Sequence, residues 1–150
     1  MKIRFFLITT IFALMLSCKK DGNGGLSIKI KSISSNIIPI NASLQVIFDF
    51  TDNGGHPIDS IYMSKVRINQ NQTPTLNDSF GLSAPSYNGT TKGQLQLDLN
   101  YSGFLTSAQS PPIIDSTHNE SDSVIIKFVA IDNANNKSDT VSTGLIVVQR

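Results

Sequence analysis

The chain of 150 residues has one cysteine and no tryptophan. A single thiol excludes an internal disulfide framework and a cysteine-rich zinc site. Without tryptophan, the largest aromatic surface for stacking on a sugar is missing. Charge is scarce as well: charged residues make up 15%, and twelve basic residues against eleven acidic ones leave +1. That balance suggests neither nucleic acid nor an anionic membrane surface as a partner. No apolar run reaches the roughly 20 residues of a membrane-spanning helix. No stretch sustains a 3.6-residue apolar repeat, a heptad or an internal repeat, so helical architectures have no support. Neither a Gly-x-Ser-x-Gly elbow nor another nucleophile motif occurs. The two histidines, His56 and His118, are far apart and fall in expected loops, and the acids are scattered at turns rather than paired. No enzyme activity is expected from this inventory.

What is present begins with the leader. Met1-Lys2-Ile3-Arg4 is a short basic start, and Phe5 to Leu16 is apolar apart from Thr9 and Thr10. Ser17-Cys18 follows, then Lys19-Lys20-Asp21-Gly22-Asn23-Gly24-Gly25. A basic region, an apolar region and a small residue before the cut are the parts of a cleaved secretory signal. Leu14-Met15-Leu16-Ser17-Cys18 resembles the lipobox of bacterial lipoproteins, with Met15 where leucine is usual. The resemblance implies a signal peptide over 1–17, cleavage before Cys18 and acylation of that sulfur. In bacterial lipoproteins aspartate after the cysteine retains the protein at the inner membrane, so Lys19 there implies a lipid anchor at the outer membrane. Lys19-Lys20-Asp21 resembles the short tag that sends lipoproteins of the Bacteroidota to the cell surface; a solvated linker explains the same residues. Residues 18–26 are expected to be a flexible linker, because Gly, Asn and Lys bury little apolar area.

The remaining 27–150 has the size of one domain. Alternation of apolar and polar residues predicts strands over 28–33, 44–50, 60–69, 94–100 and 124–132, a short one near 80–82, and a last one over 140–148. In the third of these Ile61, Met63, Val66 and Ile68 are apolar. The change of parity between Met63 and Val66 predicts a bulge. Val124 to Asp132 is apolar on both faces and is expected at the centre of a sheet. The fold class expected is all-β, a single antiparallel sandwich of about seven strands. Phe128 to Ser138 resembles the terminal hairpin of bacterial immunoglobulin-like and fibronectin-type-III-like domains. Asn135 stands where glycine is usual there, and asparagine tolerates positive φ.

Hard cations want carboxylate, amide and carbonyl oxygens. Asp49, Asp52 and Asp59 flank one turn, and Asp132 opens another with Asn133, Asn135 and Asn136. An immunoglobulin-like topology would set both turns at one end, so calcium is the metal they fit best. The same residues serve turns through local backbone bonds. Ser60, Ser116, Ser123 and Thr140 each follow an aspartate and precede Ile, Thr or Val. They match the Asp-Ser/Thr-apolar O-glycosylation motif of exported Bacteroidota proteins, although a turn followed by a strand yields the same tripeptides. Phe80, Tyr87, Tyr101, Phe104 and Leu105 lie in two long irregular stretches, 70–92 and 101–122. They would either form a binding patch or plug the end of the sandwich. The functional expectation is a non-catalytic binding or structural module on an envelope lipoprotein, with a protein or glycan partner. The alternatives are a glycan-uptake accessory and a subunit of an envelope complex.

Overall fold

A computed structural model describes residues 25–69, 78–84, 91–106 and 113–150. Cys18, the leader, Tyr87 and the Lys19-Lys20-Asp21 segment lie outside the described residues. Within them the chain is all-β. Nine strands form two sheets: β1 (Leu26–Ile33), β2 (Ile37–Ile38), β3 (Leu44–Asp52), β4 (Ile58–Arg67), β5 (Asp78–Ser83), β6 (Lys92–Leu99), β7 (Asp122–Asp132), β8 (Val141–Ser142) and β9 (Ile146–Val148). One five-residue π-helical turn, Tyr101–Leu105, joins β6 to the segment before β7. The smaller sheet has the order β1-β3-β6 and the larger β2-β9-β7-β4-β5, with β8 also on β7. All neighbours are antiparallel except β2 and β9.

Period-2 patterning decides which side of each strand is buried. Leu44, Val46, Phe48 and Phe50 of β3, and Leu95, Leu97 and Leu99 of β6, line the inner face of the smaller sheet. Val124, Ile126, Phe128 and Ala130 of β7 line the inner face of the larger one. Phe48 and Phe128 meet edge to face, 5.0 Å between centroids. Gly93, opposite Phe50 in the β3–β6 ladder, is where that ring needs room: a Cβ there would lie 2.9 Å from it.

Three expectations change. The strand expected over 60–69 is displaced and in different register. Its slip lies at Asp59, between Ile58 and Ser60, and it runs regularly from there to Arg67. Lys65 and Arg67 therefore face inward, at 0% and 4% exposure, while Val66 is half-buried and Ile68 is exposed. Pairing with β5 and β7 on both sides holds this register against the apolar pattern. The strand expected over 140–148 is two short pieces, β8 and β9. Where the ladder fails, hydroxyls replace it: Ser138 Oγ accepts from Ala130 N, and Thr143 Oγ1 from Ile126 N. Lastly, β2 adds a parallel edge that alternation gave no sign of, so the count exceeds seven.

The registers also orient the molecule. Leu26 pairs with Asp52 and Ile58 with Asp132, so the start of β1 and both acidic turns share one end, called the near end. Leu44 pairs with Leu99 and Arg67 with Val124, so the π-helical turn and the segment before β7 occupy the far end.

Candidate functional site

At the near end, Asp52 and Asp132 are each 1% exposed. Asp132 Oδ1 accepts from Ala134 N and Asn136 N, and Oδ2 from Asn136 Nδ2. This closes the β7–β8 turn, in which Asn135 has φ 64°. Asp52 Oδ1 accepts from Gly54 N, and Oδ2 is buried without a hydrogen bond. Asn133 N donates to Pro57 O, so the two turns touch as expected. Asp49 and Asp59, by contrast, are exposed. Two of the four acids proposed for calcium thus bond their own turns, and two face solvent. Among the described residues no group of three or more His, Cys, Asp and Glu lies close enough to hold a metal.

At the far end the buried charges are of both signs: Lys65, Arg67 and Asp122. Lys65 Nζ donates to the carbonyls of Phe104 and Leu105, at 2.5 and 3.0 Å. The last carbonyls of a helical turn lack intrahelical donors and carry partial negative charge, so an ammonium is a fitting partner. Asp122, wholly buried, lies between two guanidinium groups. Arg67 Nε is 2.8 Å from Oδ1, and Arg150 Nε is 2.6 Å from Oδ2. The aromatic residues of this region fold inward. Phe104 meets Phe80 edge to face at 5.4 Å, Leu105 is fully buried, and Tyr101 Oη donates to Gln149 O.

Beyond this plug, Ile113 and Ile114 are exposed at 70% and 65%. Their turn is built by Asp115, whose Oδ1 accepts from Thr117 N, Thr117 Oγ1 and His118 N. The Thr117 N–H bond, then the Thr117 hydroxyl and the His118 ring, hold the Asp115 carboxyl below its ordinary pKa. Thr117, His118 and Asp115 have the composition of a nucleophile relay but not its wiring. Asp115 and Thr117 both meet Nδ1 of His118, and a relay needs the two ring nitrogens used separately.

The outer face of the larger sheet carries a shallow depression of about 420 Å³. Its floor is a row across four strands, Ser79, Ser64, Lys127 and Ser142, set by the registers of β5, β4, β7 and β8. Tyr62, 50% exposed, forms one wall and lies across Gly81 of β5. A half-exposed phenol ring beside a row of hydroxyls and one ammonium can stack on an apolar ring face and hydrogen-bond its rim. Thr140 also lines this depression. Of the other three glycosylation candidates, Ser116 is exposed in the Asp115 turn, while Ser60 and Ser123 are partly buried in strands.

Tyr62, Lys65, Arg67, Asp122 and Arg150 were not singled out from the sequence. Strict alternation continued from Ile61 and Met63 would have turned Lys65 and Arg67 inward. The apolar Val66 and Ile68 favoured the other parity.

No protein-family model matches the chain, and no curated protein does. Among solved structures it is similar to the sporulation control protein Spo0M from Bacillus subtilis, at 11% identity and a TM-score of 0.44. That match covers 85% of this chain and 50% of the other. A β-glucosidase from Listeria innocua, in complex with gluconolactone, matches at 11% identity and a TM-score of 0.38, covering 83% of this chain and 16% of that one. The chain therefore spans half the length of the first and a small part of the second.

Proposed function

We propose that this chain is a lipoprotein of the bacterial outer membrane, acylated at Cys18, whose body is an immunoglobulin-like sandwich acting as a non-catalytic binding or structural module. The observation that carries the reading is the leader: the apolar run Phe5 to Leu16, closed by Ser17-Cys18 and followed by a charged, glycine-rich stretch. Acylation also accounts for an unpaired cysteine in an exported chain. Several acyl chains on one residue give firm anchoring at about 0.8 kcal/mol per buried CH₂. The order β1-β3-β6 against β9-β7-β4-β5 supports the immunoglobulin-like reading. Because β1 starts at the near end, the tether holds that end toward the membrane and leaves the far end, with Ile113 and Ile114, for an envelope partner.

The test is metabolic labelling with palmitate in the native host, comparing the wild type with Cys18→Ala, followed by protease treatment of intact cells. Labelling that requires Cys18 is expected, and protease sensitivity would put the body at the cell surface. Labelling indifferent to Cys18 overturns the anchor.

A second reading, glycan binding, rests on the depression beside Tyr62. Calorimetric titration with envelope and dietary oligosaccharides would show binding abolished by Tyr62→Ala. Binding that survives the substitution would move the site elsewhere.

A further inference from the structure

The two edges of the smaller sheet are unlike. β1 is interrupted between Ile30 and Ser32, where Lys31 is the extra residue, and Lys29 and Lys31 stand on it. A bulge and lysines are common guards of an edge strand. The opposite edge, β6, has neither an interruption nor a proline. It pairs with β3 residue for residue from Lys92 to Leu99. Among the described residues nothing pairs with its outer side.

The register says which backbone groups lie open there. Asp52 N donates to Thr91 O, directly opposite it, so this is a hydrogen-bonded pair. Such pairs alternate along an antiparallel ladder. Gly93, Leu95, Leu97 and Leu99 therefore exchange bonds with β3. Lys92, Gln94, Gln96 and Asp98 turn their N–H and C=O groups outward.

We propose that β6 pairs antiparallel with β6 of a second copy of this chain, about a two-fold axis at Leu95. This register brings the outward groups of both copies together. Lys92 faces Asp98 of the second copy, and Gln94 faces its Gln96. Both ends of the ladder then close on opposite charges, and the middle on two amides. Lys92, Gln94, Gln96 and Asp98 are all exposed on the same face. Asp98 accepts there from Gln45 Nε2 and Gln96 Nε2, exposed bonds that the Lys92 ammonium of the second copy would replace. Sliding by two residues would oppose Lys92 to Gln96, or Gln94 to Asp98, and lose the charge pairing. The result is one continuous sheet, β1-β3-β6-β6-β3-β1. The pairing sets the near end of one copy beside the far end of the other. Leu26 lies eight positions after Cys18, a reach of roughly 26–29 Å when extended, so an anchored pair would lie along a membrane.

Sedimentation of the full chain in non-ionic detergent, over a series of concentrations, tests this. The expected result is a dimer that Lys92→Asp or Asp98→Lys weakens about tenfold or more, since like charges directly opposite repel. The double substitution Lys92→Asp with Asp98→Lys should restore it, because each new acid then faces a new lysine. Gln96→Pro should abolish the dimer while keeping the monomer fold, since it removes an outward N–H and none from the β3 ladder; a thermal melt checks the fold. A chain that stays monomeric at every concentration overturns the proposal. So does a dimer that is indifferent to the charge substitutions, or one that the double substitution fails to restore.

Discussion

The two ends of the sandwich handle buried charge in opposite ways. At the near end the buried groups are acids, Asp52 and Asp132, and the donors to them lie two to four residues away. At the far end Lys65 reaches carbonyls 39 and 40 residues on, and Asp122 meets Arg150, 28 residues away. The carboxylates of the near end find their donors within their own turns, which a short peptide could nearly specify, and one backbone bond, Asn133 N to Pro57 O, joins those turns. The far end holds only when distant parts of the chain have already met. Local satisfaction costs little ordering beyond the turn itself, whereas the far-end bonds come after long loops have closed.

Breaking the far end should therefore cost most. Asp122→Ala leaves Arg67 and Arg150 around an uncompensated buried position, and a loss of about 3–5 kcal/mol in a denaturant melt is expected. A loss under about 1 kcal/mol, the range of exposed ion pairs, would mean that the pair is not buried as described. Lys65→Met keeps much of the side-chain volume but strips the donor from the Phe104 and Leu105 carbonyls. About 1–3 kcal/mol should be lost, and amide exchange should quicken over 101–106 before it does elsewhere. Protection that falls evenly across the molecule would argue against this local role.

The near end should respond less. Asp132→Ala removes acceptors for two backbone N–H groups and one amide, yet the turn is close to water. We expect about 1–2 kcal/mol, with the unfolding transition remaining single. Asp52→Ala should cost less, about 0.5–1 kcal/mol, since only one bond is lost. If Asp52 matched Asp122 in cost, the contrast between the two ends would fail.

The smallest effect is expected at the Asp115 turn. Its carboxyl is held below the ordinary value of 3.8. The sign follows from a lowered folded pKa: the turn's contribution is complete above pH 3.8 and is lost as pH falls through the folded value. NMR shifts of Thr117 and His118 should change in that acid range while the β7 amides stay fixed. Shifts of the turn that stay fixed through that acid range would overturn the assignment.

Legibility in the sequence follows the same division. Leu44, Val46, Phe48 and Phe50 announced β3, and Leu95, Leu97 and Leu99 announced β6, because a half-buried strand needs only its own alternation. The Asp132 turn was legible for the same reason, down to the positive φ of Asn135. In β4 the local pattern misled, because Val66 and Ile68 are better core residues in isolation than Lys65 and Arg67. The break at Thr143-Gly144-Leu145 was hidden likewise, since the Thr143 hydroxyl that replaces the ladder there accepts from Ile126 N, 17 residues back.

By itself, then, the sequence determined the all-β class, the facing of most strands and the near-end turns, for these depend on residue type and short spacing. Tertiary structure alone decided the parity of β4, the Asp122 cluster, the placing of Tyr62 beside the hydroxyl row and, among the described residues, the unlike edges of the smaller sheet. Each of those is fixed by register between strands distant in the chain. A burial cost that looks prohibitive for a lone lysine is met there by groups that no local window contains.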